Sequence, residues 1–220
     1  MKKNYFILLT VLSLTVMSCK KSGTDEVFPT VGLVSYFRFD DNLEDEEGIT
    51  PDGAATGSPS FVTGKSNKAI SFNGVDQKVV FDKKSFKSGN AVSIAFWFKT
   101  KQTGALNFFI GCSDFLVGNN NPKVSLAISI PGTESAYGEY TADEWTHYAG
   151  IYDGTDIKVF INGVLAETIN HPGTIDDMNE KLFIGSRGGS VFWEGSIDDL
   201  FIYSKALSPT EITQLYNLHL

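Results

Sequence analysis

Cysteine is almost missing from this 220-residue chain, which carries Cys19 and Cys112 and no others. A disulfide-dense scaffold is therefore excluded, and the fold must stand on its hydrophobic core. Histidine is nearly as scarce. His147, His171 and His219 are scattered, and their spacing relative to the cysteines gives no zinc site. Basic clusters are lacking too. A pI near 4.9 and a net charge of −8 argue against a nucleic-acid partner, whose phosphates demand Lys/Arg patches. No Gly-x-Ser-x-Gly elbow precedes a helix, which removes the usual serine-hydrolase reading. Long hydrophobic runs are absent: residues 5–16 form the main apolar stretch, too short to span a bilayer comfortably.

What is present begins at that stretch. Lys2 and Lys3 precede it and Val16-Met17-Ser18-Cys19 follows, a segment similar to a bacterial lipobox with Cys19 as the acylated residue. Residues 1–18 are then expected to be a lipoprotein signal peptide and 19–30 a polar tether, with attachment to the outer membrane through the lipid alone. With Cys19 acylated, Cys112 has no disulfide partner. Within Phe108-Phe109-Ile110-Gly111-Cys112 it reads as a small buried hydrophobe.

Residues 31–220 read as one domain, 42% hydrophobic over the whole chain and rich in phenylalanine. Apolar runs of strand length alternate with Gly, Asn, Asp and Pro clusters, predicting strands at 33–39, 69–72, 78–81, 92–99, 124–130, 146–152, 158–161, 164–169, 181–184 and 196–203. Asn162-Gly163 is a two-residue hairpin signal. One helix is expected, over 208–218. Ser208 and Glu211 have capping-box spacing, and Pro209 takes the first helical position. The pattern predicts an all-β, two-sheet antiparallel sandwich with one short C-terminal helix.

Several segments, in order, carry a family resemblance. They are Gly32-Leu33-Val34-Ser35-Tyr36-Phe37-Arg38-Phe39-Asp40, Lys68-Ala69-Ile70-Ser71-Phe72-Asn73-Gly74 and Val92-Ser93-Ile94-Ala95-Phe96-Trp97-Phe98-Lys99. Trp145-Thr146-His147-Tyr148 with Tyr152-Asp153-Gly154 follows, then Gly195-Ser196-Ile197-Asp198-Asp199-Leu200-Phe201-Ile202-Tyr203 leading to Ser208-Pro209-Thr210-Glu211. Together they resemble laminin-G-like jelly rolls of the concanavalin A-like lectin and glucanase superfamily.

That resemblance raises hydrolysis as a first question. A glucanase of this fold would show a Glu-x-Asp-x-x-Glu pattern along one strand, and the chain has none. Glu44-Asp45-Glu46-Glu47 reads as a solvated turn. No catalytic residue is assigned. The resemblance also implies one structural calcium ion, held by Asp40, the backbone around Asn73 and Gly74, and Asp198. Strand parity points Asp198 inward, where it either ligates a cation or accepts from loop amides, while Asp199 points to solvent. Pentraxin-like paired calcium is not expected, because Gly185 to Glu194 offers Arg187 and glycines where carboxylates would be needed.

A sugar is held by an aromatic ring stacked on its C–H face, with a few polar groups to orient it. Trp97 and Trp145 read as packing residues. Of Phe192 and Trp193, one faces inward and one outward, and the sequence does not say which. Tyr137 and Tyr140 fall in the turn-rich stretch 131–140. With Asn119 to Asn121, Arg187 and Trp193 they form the proposed ligand rim. The leading expectation is non-catalytic recognition of a glycan or glycosylated surface partner. An adhesive, protein-binding module is the alternative, and a glycoside hydrolase ranks last.

Overall fold

The computed structural model describes residues 27–48, 53–81, 90–101, 106–112, 115–120, 122–130, 132–175 and 181–220. The signal-like segment, Cys19, Asn121 and most of the tether lie outside the described residues.

In chain order the strands are β1 (Leu33–Phe37), β2 (Ala54–Thr56), β3 (Ser60–Thr63), β4 (Lys68–Asn73), β5 (Lys78–Phe81), β6 (Val92–Lys99), β7 (Asn107–Gly111) and β8 (Phe115–Asn120). They continue as β9 (Lys123–Ser129), β10 (Thr133–Glu139), β11 (Thr146–Tyr152), β12 (Asp156–Ile161), β13 (Val164–Asn170), β14 (Leu182–Ile184), β15 (Ser186–Arg187), β16 (Val191–Phe192) and β17 (Glu194–Tyr203). The helix α1 (Pro209–Asn217) closes the chain. One sheet runs β13-β12-β11-β6-β17-β4-β3, with β1 beside the second half of β17. The other runs β10-β9-β8-β7-β14-β5-β2. All pairings are antiparallel among the described strands, as expected for a two-layer sandwich.

The main core lies between the sheets, where Phe37, Phe72, Phe81, Phe96, Phe98, Phe109, Leu126, Ile184 and Ile197 interdigitate. A second apolar cluster covers the opposite face of the larger sheet: Tyr36, Ala95, Ile151, Phe160, Phe201 and Tyr203 pack under Ile212 and Leu215 of α1. The centre of this sheet is thus buried on both sides. That explains why β6 and β11 are buried at nearly every position, whereas the edge strand β13 is mostly exposed. The α1 start follows the sequence signature. Ser208 Oγ accepts from the Glu211 N–H, Glu211 accepts from the Ser208 N–H, and Pro209 sits at the first turn. Asn162 and Gly163 both adopt positive φ (49° and 78°), the geometry of the tight β12–β13 reversal.

Two expectations are corrected at this level. Residues 133–139 are not loop but β10, the edge strand of the smaller sheet. The acidic run 44–47 is not wholly solvated either, because Asp45 is buried and its Oδ1 accepts from the Tyr36 N–H at 2.9 Å.

Candidate ligand-binding face

The smaller sheet presents one face to the core and the other outward. Its register determines which side chains share the outer face. Tyr137 on β10 pairs with Ser125 on β9, Ser125 with Gly118 on β8, and Gly118 with Phe108 on β7. Cross-strand partners point to the same side, so these four residues form one row across four strands. Neighbouring strands stand about 4.8 Å apart, which places the Tyr137 and Phe108 backbones roughly 14 Å from each other. Each end of the row is an aromatic ring with a cation on it. Lys123 Nζ lies 6.0 Å from the Tyr137 ring centre, and the Arg187 guanidinium lies 5.0 Å from that of Phe108. The middle is nearly bare. A Cβ at Gly118 would stand 3.0 Å from the Asn107 carbonyl oxygen and 3.1 Å from the Phe108 ring, so the floor stays low there.

A second row runs parallel to the first: Ser135, Ala127, Leu116, Gly111, Phe183, Val80 and Ala54. Small residues again occupy much of it. Beside it an open depression of about 190 Å³ is lined by Gly111, Cys112, Leu116, Phe183, Lys181, Arg187 and Gly188. The outer face of these strands therefore carries small, largely covered residues in its middle (Ser125, Gly118), with the exposed Tyr137 ring at one end and Phe108, itself buried beneath Arg187, at the other. It is long enough for a short oligosaccharide lying across the strands. Tyr137 remains 41% exposed, and its N–H, on the free side of β10, donates to Glu167 at 2.7 Å, which fixes the strand edge beneath the ring.

Three of the residues expected on the rim are not on it. Trp193 is fully buried, edge-on to Phe109 with ring centres 4.5 Å apart and packed beside Phe72. Its neighbour Phe192 takes the half-buried outer position. Gly195, at positive φ, leaves room for the indole, since a Cβ there would come within 2.2 Å of it. Tyr140 is also buried. Its hydroxyl accepts from Asn119 Nδ2 at 3.0 Å, its ring meets Phe98 edge-on, and burial pushes its pKa upward against that hydrogen bond. Asn119 itself is buried with it rather than lining a rim.

The expected calcium residues are only partly brought together. Asp198 and Asp40 converge on the turn at 64–68. Asp198 Oδ2 accepts from the Lys65 and Ser66 N–H groups at 2.7 and 2.9 Å, while Asp40 accepts from the Lys68 N–H at 2.9 Å and from Asn67 Nδ2 at 3.3 Å. Asn73 and Gly74 lie elsewhere. They pair with Glu194, four residues from Asp198 and therefore about 13 Å away along β17. Asn73 bonds within its own turn, to Val75 and Asp76. The Gly-containing turn that meets Asp198 is that of Gly64, one hairpin earlier.

Strand parity also fails at Asp198. Asp199 adopts positive φ (48°) in a bulge between Asp198 and Phe201, which inserts a residue and resets the alternation. Asp198 consequently shares the outer face with its partner Trp97 and is buried by the 64–68 turn, not by the sandwich core. Asp199 is not solvated but buried: its Oδ1 accepts from the Tyr36 hydroxyl at 2.6 Å, and Oδ2 lies 2.8 Å from His219 Nε2. His147 packs against Trp97 and Tyr216 close by, and burial, with His219 nearby, drives its pKa down to about 3.

Around Asp198 several oxygen groups come together. The Asp198 Oδ1 is buried with no hydrogen-bond partner among the described residues. Burial first, and then the adjacent Asp199 charge, push its pKa up to about 8. A Cβ on Gly64 would fall within 2.5–2.6 Å of Asp198 Oδ2 and the Ser66 and Lys68 carbonyl oxygens, so these three oxygens crowd one small space. Among the described residues no group of three His, Cys, Asp or Glu side chains converges, and any cation here would rely on backbone carbonyls as well.

The fold defines a class. The chain belongs to the concanavalin A-like lectin/glucanases superfamily, whose laminin G-type family model matches residues 73–213. No curated protein matches the sequence. Among solved structures, it is similar to domain 4 of AbnA, an extracellular arabinanase from Geobacillus stearothermophilus solved with arabinotriose. That likeness has a TM-score of 0.74 at 24% identity and covers 84% of this chain and 98% of that one. The binding domain of Paraclostridial Mosquitocidal Protein 1 gives 0.72 at 17% identity, covering 85% of this chain and 52% of that one. The ligand-binding domain of botulinum neurotoxin serotype D, in complex with N-acetylneuraminic acid, gives 0.72 at 15%, covering 84% and 50%. The chain spans about half the length of the two toxin chains. At these identities the likeness is one of fold.

Proposed function

We propose that this protein is a non-catalytic carbohydrate-binding domain, and that a glycan lies on the outer face of the smaller sheet along the Tyr137–Ser125–Gly118–Phe108 row. The observation that carries the reading is the register. It sets the exposed Tyr137 ring with Lys123 at one end of a row of small residues and the Arg187 guanidinium, over buried Phe108, at the other, a flat ring and orienting donors of the kind sugars require. Binding without cleavage fits the acids on these rows. Glu139, opposite Lys123, stands there, whereas a retaining hydrolase needs two carboxyl groups about 5 Å apart. The arabinotriose and N-acetylneuraminic acid named for two structures of the same fold support a sugar partner, while a third is named with the protein synaptotagmin II, so the adhesive alternative stays in the test. A glycan array probed with the labelled domain tests this. Signal on a defined glycan class is expected, and a blank array together with capture of one protein partner would favour the adhesive alternative.

Two further elements belong to the same reading. Acylation at Cys19 would hold the domain on the outer membrane and leave the glycan face free to meet its ligand. A calcium ion would be held by Asp198, Asp40 and the carbonyl groups of the 64–68 turn. When bound, it would neutralise Asp198 and brace β17 against β1 and β4. If so, calcium at a hundredfold excess over its Kd should raise stability by about 2.7 kcal/mol, or roughly 5–10 °C in Tm for a chain of this size. Asp198→Asn, which keeps an acceptor for the Lys65 and Ser66 N–H groups, should abolish that response. A Tm that ignores millimolar calcium would remove the ion from the account.

A further inference from the structure

This outer face is more basic than the protein that carries it. The whole chain has a net charge of −8. Yet among the described residues the charged groups along the outer rows and the adjoining depression are Lys78, Lys123, Lys181 and Arg187, against the carboxylate Glu139, with Lys181 engaged by a partner of its own. Two of these cations flank one turn. Arg187 and Gly188 line the depression, and Lys78 Nζ reaches beneath Gly189, where a Cβ would come within 2.5 Å of it. Gly188 and Gly189 both hold positive φ (56° and 82°), so this turn stays free of side chains between the two cations. Among the described residues neither Arg187 nor Lys78 has a carboxylate within salt-bridge distance. Instead Arg187 lies over Phe108. A guanidinium spread on an aromatic ring keeps its donor edge pointing outward, shaped for two-point contact with an oxyanion. Below it the floor of Leu116 and Phe183 is apolar, suited to the C–H face of a sugar ring.

We infer that the ligand is an acidic glycan, whose anionic group sits at the Gly188–Gly189 turn between Arg187 and Lys78, at the edge of the depression, while the neighbouring sugar rings continue along the row toward Tyr137. This rests on the glycan reading above and names its substrate class. Carboxylated and sulfated sugars share the required chemistry, an oxyanion on a ring substituent.

The test uses calorimetry with three probes: trigalacturonic acid, its fully methyl-esterified form, and a heparin-derived oligosaccharide. At least one acidic probe should bind about tenfold or more tightly than the methyl ester, because hydrogen bonds to charged groups exceed neutral ones by about that factor. Raising the salt should narrow the gap. Preference for trigalacturonate assigns the anion as a carboxylate, and preference for the heparin fragment assigns it as a sulfate. Arg187→Gln and Lys78→Gln, both at the surface, should each bring the acid-to-ester ratio toward one, with unchanged circular dichroism as the folding control. If neither acidic probe binds more tightly than the methyl ester, the acidic-glycan inference is overturned while the glycan reading stands. A preference that survives both substitutions overturns the placement at Arg187 and Lys78. If neither these probes nor any array glycan binds, both readings fail.

Discussion

Trp193→Ala should lower the unfolding free energy by about 3–5 kcal/mol, the range for deleting a fully buried large aromatic side chain. The indole occupies the end of the sandwich where β16 hands over to β17. It packs against Phe109 from the smaller sheet and Phe72 from the larger one, so it joins the two layers. Nothing small can collapse into its place, because Gly195 already brings the backbone against it. Thermal or urea unfolding reads the loss directly. Trp193→Phe preserves an aromatic filler and should cost roughly 1–2 kcal/mol. That variant, still folded, should keep the wild-type affinity for an array-identified glycan. A folded Phe variant with weakened binding would return Trp193 to the ligand surface.

Tyr137→Ala should do the opposite. Its ring is exposed on an edge strand and makes few core contacts, so Tm should stay close to wild type. Affinity for the glycan should fall roughly tenfold to thirtyfold, the scale for truncating an aromatic anchor at a binding surface. Titration calorimetry of wild type and variant against the same glycan measures it. Unchanged affinity would mean that the ligand does not reach β10. The two substitutions separate what one class of residue does in two places: an aromatic under the sheet holds it together, and an aromatic on top of it holds the ligand.

The sandwich itself was legible because most of its strands bury one or both faces and announce this as apolar runs. Strand β10 was not. Its inward positions are Ala136 and Gly138, too small to show as a hydrophobic stripe, and its outward ones are polar, so Thr133–Glu139 reads like loop. The site was half legible. Tyr137 and Arg187 stood out as an aromatic and a cation in turn-rich stretches, but the residues between them, Gly118, Ser125 and Ala127, carry no signal until register aligns them. Trp193 and Phe192 could not be told apart, since parity fixes only that they oppose each other. Asp198 was placed on the wrong side for a different reason. The bulge at Asp199 depends on one residue entering the left-handed region, and a single aspartate in a strand pattern does not declare that. Asn73-Gly74 is a strong turn signal, yet the turn that reaches Asp198 is at Gly64, a choice made by strand pairing.

Backbone amide NMR with an array-identified oligosaccharide tests the central claim most directly. The account predicts that shifts concentrate at Phe108, Gly118, Ser125, Ala127, Tyr137 and Arg187, all on one face of the smaller sheet. Shifts confined to the α1 side of the larger sheet, or to the loop ends away from these rows, would contradict it.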